Sequence, residues 1–566
     1  MISLPRTLLV LLLLGAGLSA QEPPKRVVVF GIDGADAEVF EGLMKAGKVP
    51  NFQALAAKGS YGRLATTNPA QSPVSWAAFS TGSNPGKTGI YDFLRRDPAI
   101  PGKIEIALGT KDWIAGPAGA GMRMGIPLLA ALAVGLLAWG LLSLVVRMVR
   151  RDRPRTGRLA VTAAALVAAL ATAVFAHRVI SWVPTRIPKA ISNRLGVPLW
   201  SVLGEAGVKS VAVEAPISFP ADRARNLRLL SGLGTPDVQA TWGFYSVFTE
   251  DAKEVVVPET GGFVDALAFD AGGTARSRVY GPPDITLKND EEETERWKAI
   301  DREAALARNI FEMKVGVPSA RRFEERVWQH AEKAKQASCV LEIRRDAAAR
   351  TATIRVGSGG PKPILDLPLP TTGPAPAAAL PAPGDPSVRW GEPVVLREHA
   401  WSGYVPFEFE MNPLVKVKGI GKFWLESVTP FRLLLTPVSF DPREVPEIVD
   451  VCFPRDFAPS LAAKAGAFSL AGWPCLTNPI KDSMLSDEAF IAQVREITAE
   501  RRRKLKAAME GPDWRFLFVM FSEVDRVQHA FWRHVDPKST QYDPAKAAKY
   551  GPAIEETYVA MDAVLG

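Results

Sequence analysis

The chain has 566 residues, too many for one hydrophobic core, so at least two globular units are expected. Apolar residues make up 47% of it, which favours membrane segments. The net charge of +8 would suggest nucleic-acid binding only if the basic residues shared a face; part of the excess lies in one short loop, so no such binding is expected. The three cysteines exclude a disulfide framework and a C-x-x-C metal motif. They are either buried small hydrophobic residues or, for Cys452 and Cys475, a pair formed in an oxidising compartment.

The N-terminus has the pattern of an export signal. Arg6 precedes an uncharged run that ends in small residues at Ala20, which predicts a signal peptide over residues 1–20, with an uncleaved anchor as the alternative. The next apolar run, from Arg26 to Ile32, predicts a central parallel strand covered on both faces. Asp33 and Gly34 end that strand. Helical spacing at 37–46 and 51–58 follows, so the chain opens as an α/β fold.

Ser72 stands at the predicted start of a buried helix. Trp76, Ala77, Phe79 and Ser80 have helical apolar spacing, and we expect the helix to begin just after Ser72. A hydroxyl there would lie among free backbone N–H groups, near the positive end of the helix dipole, which suits a phosphate. The structural alternative is that Ser72 is simply the N-cap of the helix.

Two segments are long and apolar enough to cross a membrane. Met124–Val146 carries no charge, and Leu159–Ala176, with a possible extension to Trp182, is the second. The loop 147–158 between them holds six arginines, so the positive-inside rule places that loop in the cytoplasm. Both outer ends of the hairpin then face the extracytoplasmic (periplasmic) side. The alternative is a helical hairpin buried in a large soluble core.

The rest of the chain returns to an α/β pattern around an insertion. A helix at 199–205 and a strand at 209–214 precede a cap that is partly β, with strands at 339–343, 351–356 and 387–396, a charged helix at 292–311 and a Pro/Ala-rich loop at 361–386. A helix at 487–509 is expected to have a solvated charged face. A strand at 516–521 leads to Asp525 and His529, and a last helix covers 553–564. The predicted units are a signal peptide (1–20), the core (21–120), a transmembrane hairpin (121–185), the core continued (186–245), the cap (246–480) and the end of the core (481–566).

These motifs together resemble the alkaline phosphatase superfamily, and within it the bacterial type I phosphodiesterase/nucleotide pyrophosphatase branch. The resemblance is carried by the segment 28–34, by Ser72-Pro73-Val74-Ser75-Trp76 leading into 80–90, and by Asp525-Arg526-Val527-Gln528-His529. It implies a central, mostly parallel sheet between helices. It also implies a site with two divalent metal ions, usually zinc, where Asp33 and the Ser72 oxygen bind one ion and Asp525 and His529 hold the second. Ser72 would then be the nucleophile, since metal contact lowers the pKa of a hydroxyl.

The chain also departs from the family pattern. A later strand ending in an Asp-His pair, and a further His, are not found before Gly566, so three expected ligands are missing. We therefore expect either a piece of a longer protein, which the pattern of the final helix favours, or a protein that cannot hold both metals. Phe93 stands where nucleotide pyrophosphatases have an Asn, which weakens the prediction of a nucleotide diester substrate. Val74 and Trp76 occupy the Pro and Arg places of the sulfatase motif, which disfavours a sulfatase.

Other interpretations apply to single motifs. Gly82–Thr88 misses the P-loop pattern by one residue and is explained as a turn. Asp33 could be a turn acid, and Asp525 with His529 a surface pair one helical turn apart. His534 is expected to face solvent.

Three classes of function remain open. They are a membrane-tethered extracytoplasmic phosphoesterase acting on a phosphorylated small molecule, lipid or glycan, a phospho-substituent transferase acting on a lipid or glycan, and a non-catalytic binding protein on the same scaffold.

Overall fold

The structure is a computed structural model that describes residues 25–96, 104–117, 120–149, 155–254, 258, 260–285, 336–360, 380–511 and 513–566. The predicted signal peptide and the predicted helix at 292–311 lie outside these residues. So do 150–154 of the arginine loop and 361–379 of the Pro/Ala-rich loop.

The described helices and strands follow one another as the α/β pattern predicts. The helices are α1 (Ala37–Lys45), α2 (Pro50–Lys58), α3 (Ser72–Thr81), α4 (Pro85–Thr88), α5 (Ala120–Val149), α6 (Arg155–Ser181), α7 (Leu199–Glu205), α8 (Phe457–Ala465), α9 (Thr477–Lys481), α10 (Asp487–Met509), α11 (Glu523–Phe531), α12 (Pro544–Tyr550) and α13 (Ala553–Leu565). The strands are β1 (Val27–Ile32), β2 (Leu94–Arg96), β3 (Ile104–Ile106), β4 (Gly109–Ala115), β5 (Arg186–Ser192), β6 (Ser210–Ala215), β7 (Leu227–Ser231), β8 (Tyr245–Thr249), β9 (Gly262–Ala266), β10 (Thr274–Pro283), β11 (Gln336–Asp346), β12 (Thr351–Gly359), β13 (Val388–Trp390), β14 (Val394–Arg397), β15 (Ala400–Trp401), β16 (Val405–Asn412), β17 (Val415–Gly421), β18 (Phe423–Val428), β19 (Phe431–Leu435), β20 (Ser439–Phe440), β21 (Cys452–Phe453) and β22 (Phe516–Phe521).

The core sheet has the order β1-β22-β6-β7-β21, with β1, β22, β6 and β7 parallel and β21 antiparallel. Alternate residues of β22 enter two separate hydrophobic clusters. Phe516, Phe518 and Met520 pack with α3 and α7, and Leu517, Val519 and Phe521 pack with α10 and α13. Because strand side chains alternate between faces, this division shows that helices cover both sides of the sheet. The predicted α/β class is confirmed.

β1 does not occupy the central position that its sequence predicts. Among the described residues it pairs with β22 alone and forms the edge of the sheet, and Val27 and Val28 are 54% and 48% exposed. A run of β-branched residues therefore marks a parallel strand here, but the number of its neighbours depends on strand order, which the run does not encode.

The cap contains three antiparallel or mixed sheets, as its alternating segments predict. One sheet has the order β10-β11-β12-β13, with β14 also on β12; a second has β15-β18-β19-β8-β9; and a third has β16-β17-β20. The single strand expected at 387–396 is in fact two short strands, β13 and β14, which flank Gly391 and Pro393. A proline cannot donate to the ladder, so the break falls there.

α5 and α6 form a pair of apolar helices whose outward faces are not covered by other described residues. Met122–Val146 and Leu159–Ser181 have mean hydropathies of 2.4 and 2.3, and only 6% and 11% of their most apolar windows are buried. A Cβ added at Gly135 would lie 3.0 Å from the Ala169 Cβ, so the two helices approach closely at small residues. Among the described residues the pair is not buried in a soluble core, and both helices are long and apolar enough to cross a membrane.

A two-stranded ribbon, which no sequence pattern predicted, joins these helices to the core. β4 and β5 pair antiparallel over seven residues, from Gly109 with Ser192 to Ala115 with Arg186. At the base of this ribbon, the Leu195 N–H donates to the Thr88 carbonyl of α4 at 2.9 Å, a short distance along the chain from the Ser72 helix. The connection between the helix pair and the core is thus regular structure rather than a loose linker.

Candidate active site

Asp33 lies at the carboxyl end of β1 and is tied to the end of the neighbouring strand. Its N–H donates to the Phe521 carbonyl at 2.8 Å, and its own carbonyl accepts from the Asp525 N–H at 3.1 Å. In open α/β sheets, ligands bind beyond the carboxyl ends of the strands. Two motifs from opposite ends of the chain are thus joined at the edge of the sheet where a ligand is expected.

The Asp33 carboxyl is buried and only partly satisfied. Oδ1 accepts a hydrogen bond from the Trp76 indole at 2.8 Å, whereas Oδ2 is buried with no hydrogen-bond partner among the described residues. Burial and the nearby Asp525 raise the pKa of Asp33, and Arg526, Trp76 and Ser72 act in the opposite direction. An orphaned carboxylate oxygen beside a second acid is an arrangement that a cation would satisfy.

Ser72 is the first residue of α3, one position earlier than the predicted helix start. Gln71 occupies the N-cap position, and no side chain caps the helix. The N-cap interpretation of Ser72 is therefore wrong. Its hydroxyl instead lies close enough to the Asp33 carboxyl to lower the pKa of that group. The structure brings Ser72 and Asp33 together, as the resemblance implies.

Trp76 couples the Ser72 helix to Asp33, a role that the sequence motifs did not reveal. The indole reaches Asp33 because Gly31 leaves room for it: a Cβ on Gly31 would lie 2.7 Å from the ring. The ring also packs edge-on against Phe79 and Phe518. A glycine two residues before a strand-end acid, with a tryptophan four residues after the serine, is a signal that could have predicted this contact.

Asp525 and His529 lie one turn apart on α11. The His529 Nε2 is 3.4 Å from the Asp525 Oδ1; the Asp525 side chain is 12% exposed and that of His529 is 61% exposed. Burial raises the pKa of Asp525, but His529 and Arg526 outweigh it, so the pKa lies below its usual value. The predicted pair therefore forms, with the acid directed inwards and the imidazole at the surface.

Arg526 brings a buried positive charge to the two acids. It is 3% exposed, its Nη1 is 3.4 Å from the Asp525 Oδ2, and its guanidinium stacks over the Trp473 ring with Cζ 3.4 Å from the centroid. Phe93 packs edge-on against the same ring. An arginine held in this way supplies fixed positive charge beside a phosphate site. The sequence contained Arg526 within the motif but gave no sign of the Trp473 partner.

A buried ion network supports the start of α11 from behind. The Arg501 Nη1 donates to the Ser522 Oγ at 2.8 Å and to Glu523 at 3.0 Å, and Lys504 pairs with Glu214. Both basic side chains and both acids are at most 6% exposed. α10 has the predicted solvated face. Arg501 and Lys504, however, lie on its buried face, where charges meet the carboxyl ends of β6 and β22.

The structure decides two predictions about residues outside the site. His534 is 2% exposed and lies against Asp487 and Phe531, so the solvent-facing position expected for it is wrong. The three cysteines are buried and free, and the predicted alternative of a Cys452–Cys475 pair does not form.

The residues at this site provide part of the ligand set that a metal ion needs. Asp33 and Asp525 offer carboxylate oxygens, Ser72 a hydroxyl and His529 an imidazole, which are ordinary ligands of divalent cations. The partnerless Asp33 Oδ2 gives a cation a place to bind. Within the described ranges, however, no three His, Cys, Asp or Glu side chains are gathered as a ready-made metal cluster. These residues therefore fit one cation near Asp33 more readily than the complete two-metal set.

Comparison with known proteins addresses the first half of the site. Residues 27–165 match the family model described as type I phosphodiesterase / nucleotide pyrophosphatase. The match includes Asp33 and Ser72 and ends before Asp525 and His529. A search of curated proteins and a search of solved structures found no match. The family resemblance predicted from the sequence is confirmed over this segment: residues 27–165 are similar to the type I phosphodiesterase / nucleotide pyrophosphatase family of the alkaline phosphatase superfamily.

Proposed function

We propose that this protein is a membrane-tethered, extracytoplasmic, metal-dependent phosphoesterase that uses Ser72 as its nucleophile. The observation that carries the proposal is the convergence of Ser72, the half-satisfied Asp33 and Asp525 at the carboxyl edge of the core sheet. The family match supports a phosphoester substrate in general. The substrate is a phosphorylated small molecule, lipid or glycan.

Each residue has a distinct task in this proposal. Divalent cations would be held by Asp33, Asp525, His529 and the Ser72 oxygen. The family resemblance implies that these cations are zinc. Such ions supply charge stabilisation and lower the pKa of a bound hydroxyl. Trp76 fixes one oxygen of Asp33 and leaves the other free. Arg526 provides buried positive charge near the phosphoryl oxygens, because Trp473 holds its guanidinium flat beside Asp525.

The chemical step follows from the position of Ser72 at a helix start. Its oxygen attacks phosphorus and forms a phosphoseryl bond, while the bond to the leaving alkoxide breaks and that oxygen takes up a proton. Free N–H groups of the first turn of α3 stabilise charge on the phosphoryl oxygens. Water then attacks the phosphoserine and releases phosphate or a phosphomonoester, and the Ser72 hydroxyl is restored.

The decisive experiment compares Ser72→Ala with Ser75→Ala in the full chain, reconstituted in lipid nanodiscs. Ser75 lies on the same helix, but its hydroxyl bonds Thr66 and Thr67, so it serves as the matched control. With zinc supplied and bis(p-nitrophenyl) phosphate as substrate, Ser72→Ala should abolish turnover while bound metal, measured by mass spectrometry, is unchanged. Ser75→Ala should keep its turnover. Undiminished activity in Ser72→Ala would overturn the nucleophile assignment.

Two further measurements separate the alternatives. Product analysis distinguishes a hydrolase, which releases free phosphate or alcohol, from a transferase, which modifies a lipid or glycan acceptor. Absence of bound zinc in the wild-type chain would favour the non-catalytic binding protein. For topology, a reporter fused within 147–158 should be active only in the cytoplasm, and activity on the outer side would overturn the proposed orientation.

A further inference from the structure

The end of the apolar helix pair is bonded to the cap as well as to the core. The side chain of Asn412, where β16 ends, donates to the Trp182 carbonyl at 2.8 Å. Trp182 directly follows the apolar span Leu159–Ser181. Tryptophan at the end of such a span is typical of the boundary between lipid and water. The cap therefore reaches the level at which the chain would leave a membrane.

The same asparagine shapes the turn that it anchors. Its Oδ1 accepts from the N–H groups of Leu414 and Val415, both at 2.9 Å, which closes the β16–β17 turn around Pro413 and Leu414. We call these two residues the hairpin tip. Leu414 is exposed by 56%. A single exposed leucine is common on protein surfaces, but this one is held beside the end of a membrane-length helix.

The β16–β17 hairpin and the connecting ribbon, β4 and β5, both extend from the core towards the end of the helix pair. At the far end, Asn412 of the hairpin bonds Trp182, shortly before β5 begins. At the near end, a Cβ on Gly419 of β17 would lie 3.3 Å from Val238, and one on Gly234 would lie 3.6 Å from Leu108, at the ribbon base. Seven strand residues span roughly 20–24 Å. The hairpin and the ribbon thus cover a similar distance between the core and the helix pair.

The charges near the tip are paired with one another. Lys416 and Arg389 each lie 2.6 Å from Glu410, and both also pair with Glu408. These two positive and two negative side chains balance, so this group itself carries no net charge with which to attract anionic headgroups. Contact at the tip therefore depends on apolar burial rather than on lipid charge.

We propose that the hairpin tip, Pro413 and Leu414, is a second membrane-contact site, inserted into the interfacial layer of the bilayer that α5 and α6 cross. This inference rests on the proposed membrane insertion of α5 and α6. The protein would then have two attachments to the membrane: the core is joined to it through the ribbon and the apolar helices, and the cap through the hairpin tip. The cap and the core that carries the Ser72 helix are thereby held at a fixed position relative to the lipid surface.

The test uses a nitrobenzoxadiazole label at one introduced cysteine in nanodiscs of zwitterionic phosphatidylcholine. Leu414→Cys reports the tip, Leu137→Cys reports the span of α5, and Val395→Cys is the matched cap control; the last two positions are 68% and 66% exposed. The label at position 414 should lose fluorescence to a nitroxide carried near the lipid headgroup and resist aqueous iodide. The label at position 395 should do the reverse. Added phosphatidylglycerol should not change either result.

The outcomes separate this inference from the ideas on which it rests. If position 137 is quenched from the lipid but position 414 behaves like position 395, the helices insert and the tip does not, which overturns the proposal. If position 137 is not quenched from the lipid, insertion itself fails and the proposal falls with it. Shielding of position 414 from both quenchers would show that protein, such as a second copy, covers the tip, and would also overturn it.

A second variant tests the bond that positions the tip. Asn412→Ala removes the donor to Trp182, so lipid quenching at position 414 should fall while quenching at position 137 is unchanged. Equal quenching with and without the Asn412 side chain would overturn the positioning role of this hydrogen bond. Turnover at Ser72 is measured separately, so loss of the phosphoesterase assignment would leave these readouts intact.

Discussion

The two halves of the site approach closely at Gly34, and Gly34→Ala should separate them. The backbone of Gly34 has φ +68°, and a Cβ there would lie 2.7 Å from both the Cα and the Cβ of Asp525. Ordinary contact begins at 3.4 Å, so the start of α11 would have to retreat by about 0.7 Å. Asp525 would then move away from Asp33.

The expected loss has two components. The left-handed backbone costs a residue with a Cβ roughly 1–2 kcal/mol of stability. The displacement acts on the site itself, where a misplacement of about 1 Å can cost on the order of 100-fold in rate. We therefore expect the turnover of Gly34→Ala to fall by about 10- to 100-fold, with faster hydrogen exchange in α11.

Gly47→Ala is the matched control. Gly47 also has φ +68°, but nothing lies within 4 Å of its added Cβ, so it carries the same backbone strain without the clash. Turnover of bis(p-nitrophenyl) phosphate in nanodiscs, and exchange across 523–531 by mass spectrometry, should change only in Gly34→Ala. Wild-type turnover in Gly34→Ala, or an equal loss in both variants, would refute the assignment of Asp525 to the site of Asp33.

Three further predictions concern buried groups. Arg501→Met leaves Glu523 buried without its partner and should destabilise β22 and α11 by about 3–5 kcal/mol in hydrogen exchange, whereas Arg495→Met, which removes a surface ion pair, should cost under about 1 kcal/mol. Burial raises the pKa of Asp237 to about 7 against opposing hydrogen bonds, so the contribution of this carboxyl to stability should be greatest below about pH 4 and should be lost as pH rises through about 7. Asp237→Asn should remove that slope in urea titrations, and a wild-type slope in this variant would contradict the assignment. Burial raises the pKa of Cys475 to about 12, so iodoacetamide at about pH 8 should not label it in the folded protein; rapid labelling would contradict this placement.

The sequence predicts those features of the fold whose patterns are local. β22 is a continuous apolar run and β6 a mostly apolar one, and every residue in both is buried in the core sheet. The apolar helices are equally evident, because length and the absence of charge suffice to identify them. The sequence also predicts that Asp33 and Asp525 lie close together. Each follows an apolar strand, and the carboxyl ends of parallel strands meet at one edge of the sheet.

The contacts that shape the site could not be predicted in the same way. Trp76 bonds an acid 43 residues away, and Arg526 lies on Trp473, which belongs to a segment without regular structure. Such partners depend on which helix lies over which strand end. His534 was misplaced for a related reason: one histidine in a polar context resembles a surface residue until Asp487 and the Phe531 ring are found around it.

The charges of α10 show how a pattern typical of solvent exposure can instead mark a functional edge. Glu500, Arg501 and Lys504 resemble an exposed face in the sequence, but they are at most 5% exposed and meet acids at the ends of β6 and β22. Buried charges persist only when they are paired, and removing one partner is costly. Because Arg501 bonds Ser522 and Glu523, shortly before Asp525, this network fixes the backbone that carries the second acid of the site. α10 is therefore solvated on one face, as predicted, and supports Asp525 from behind with its buried face, while Gly34 and Asp33 define the position of Asp525 from the front.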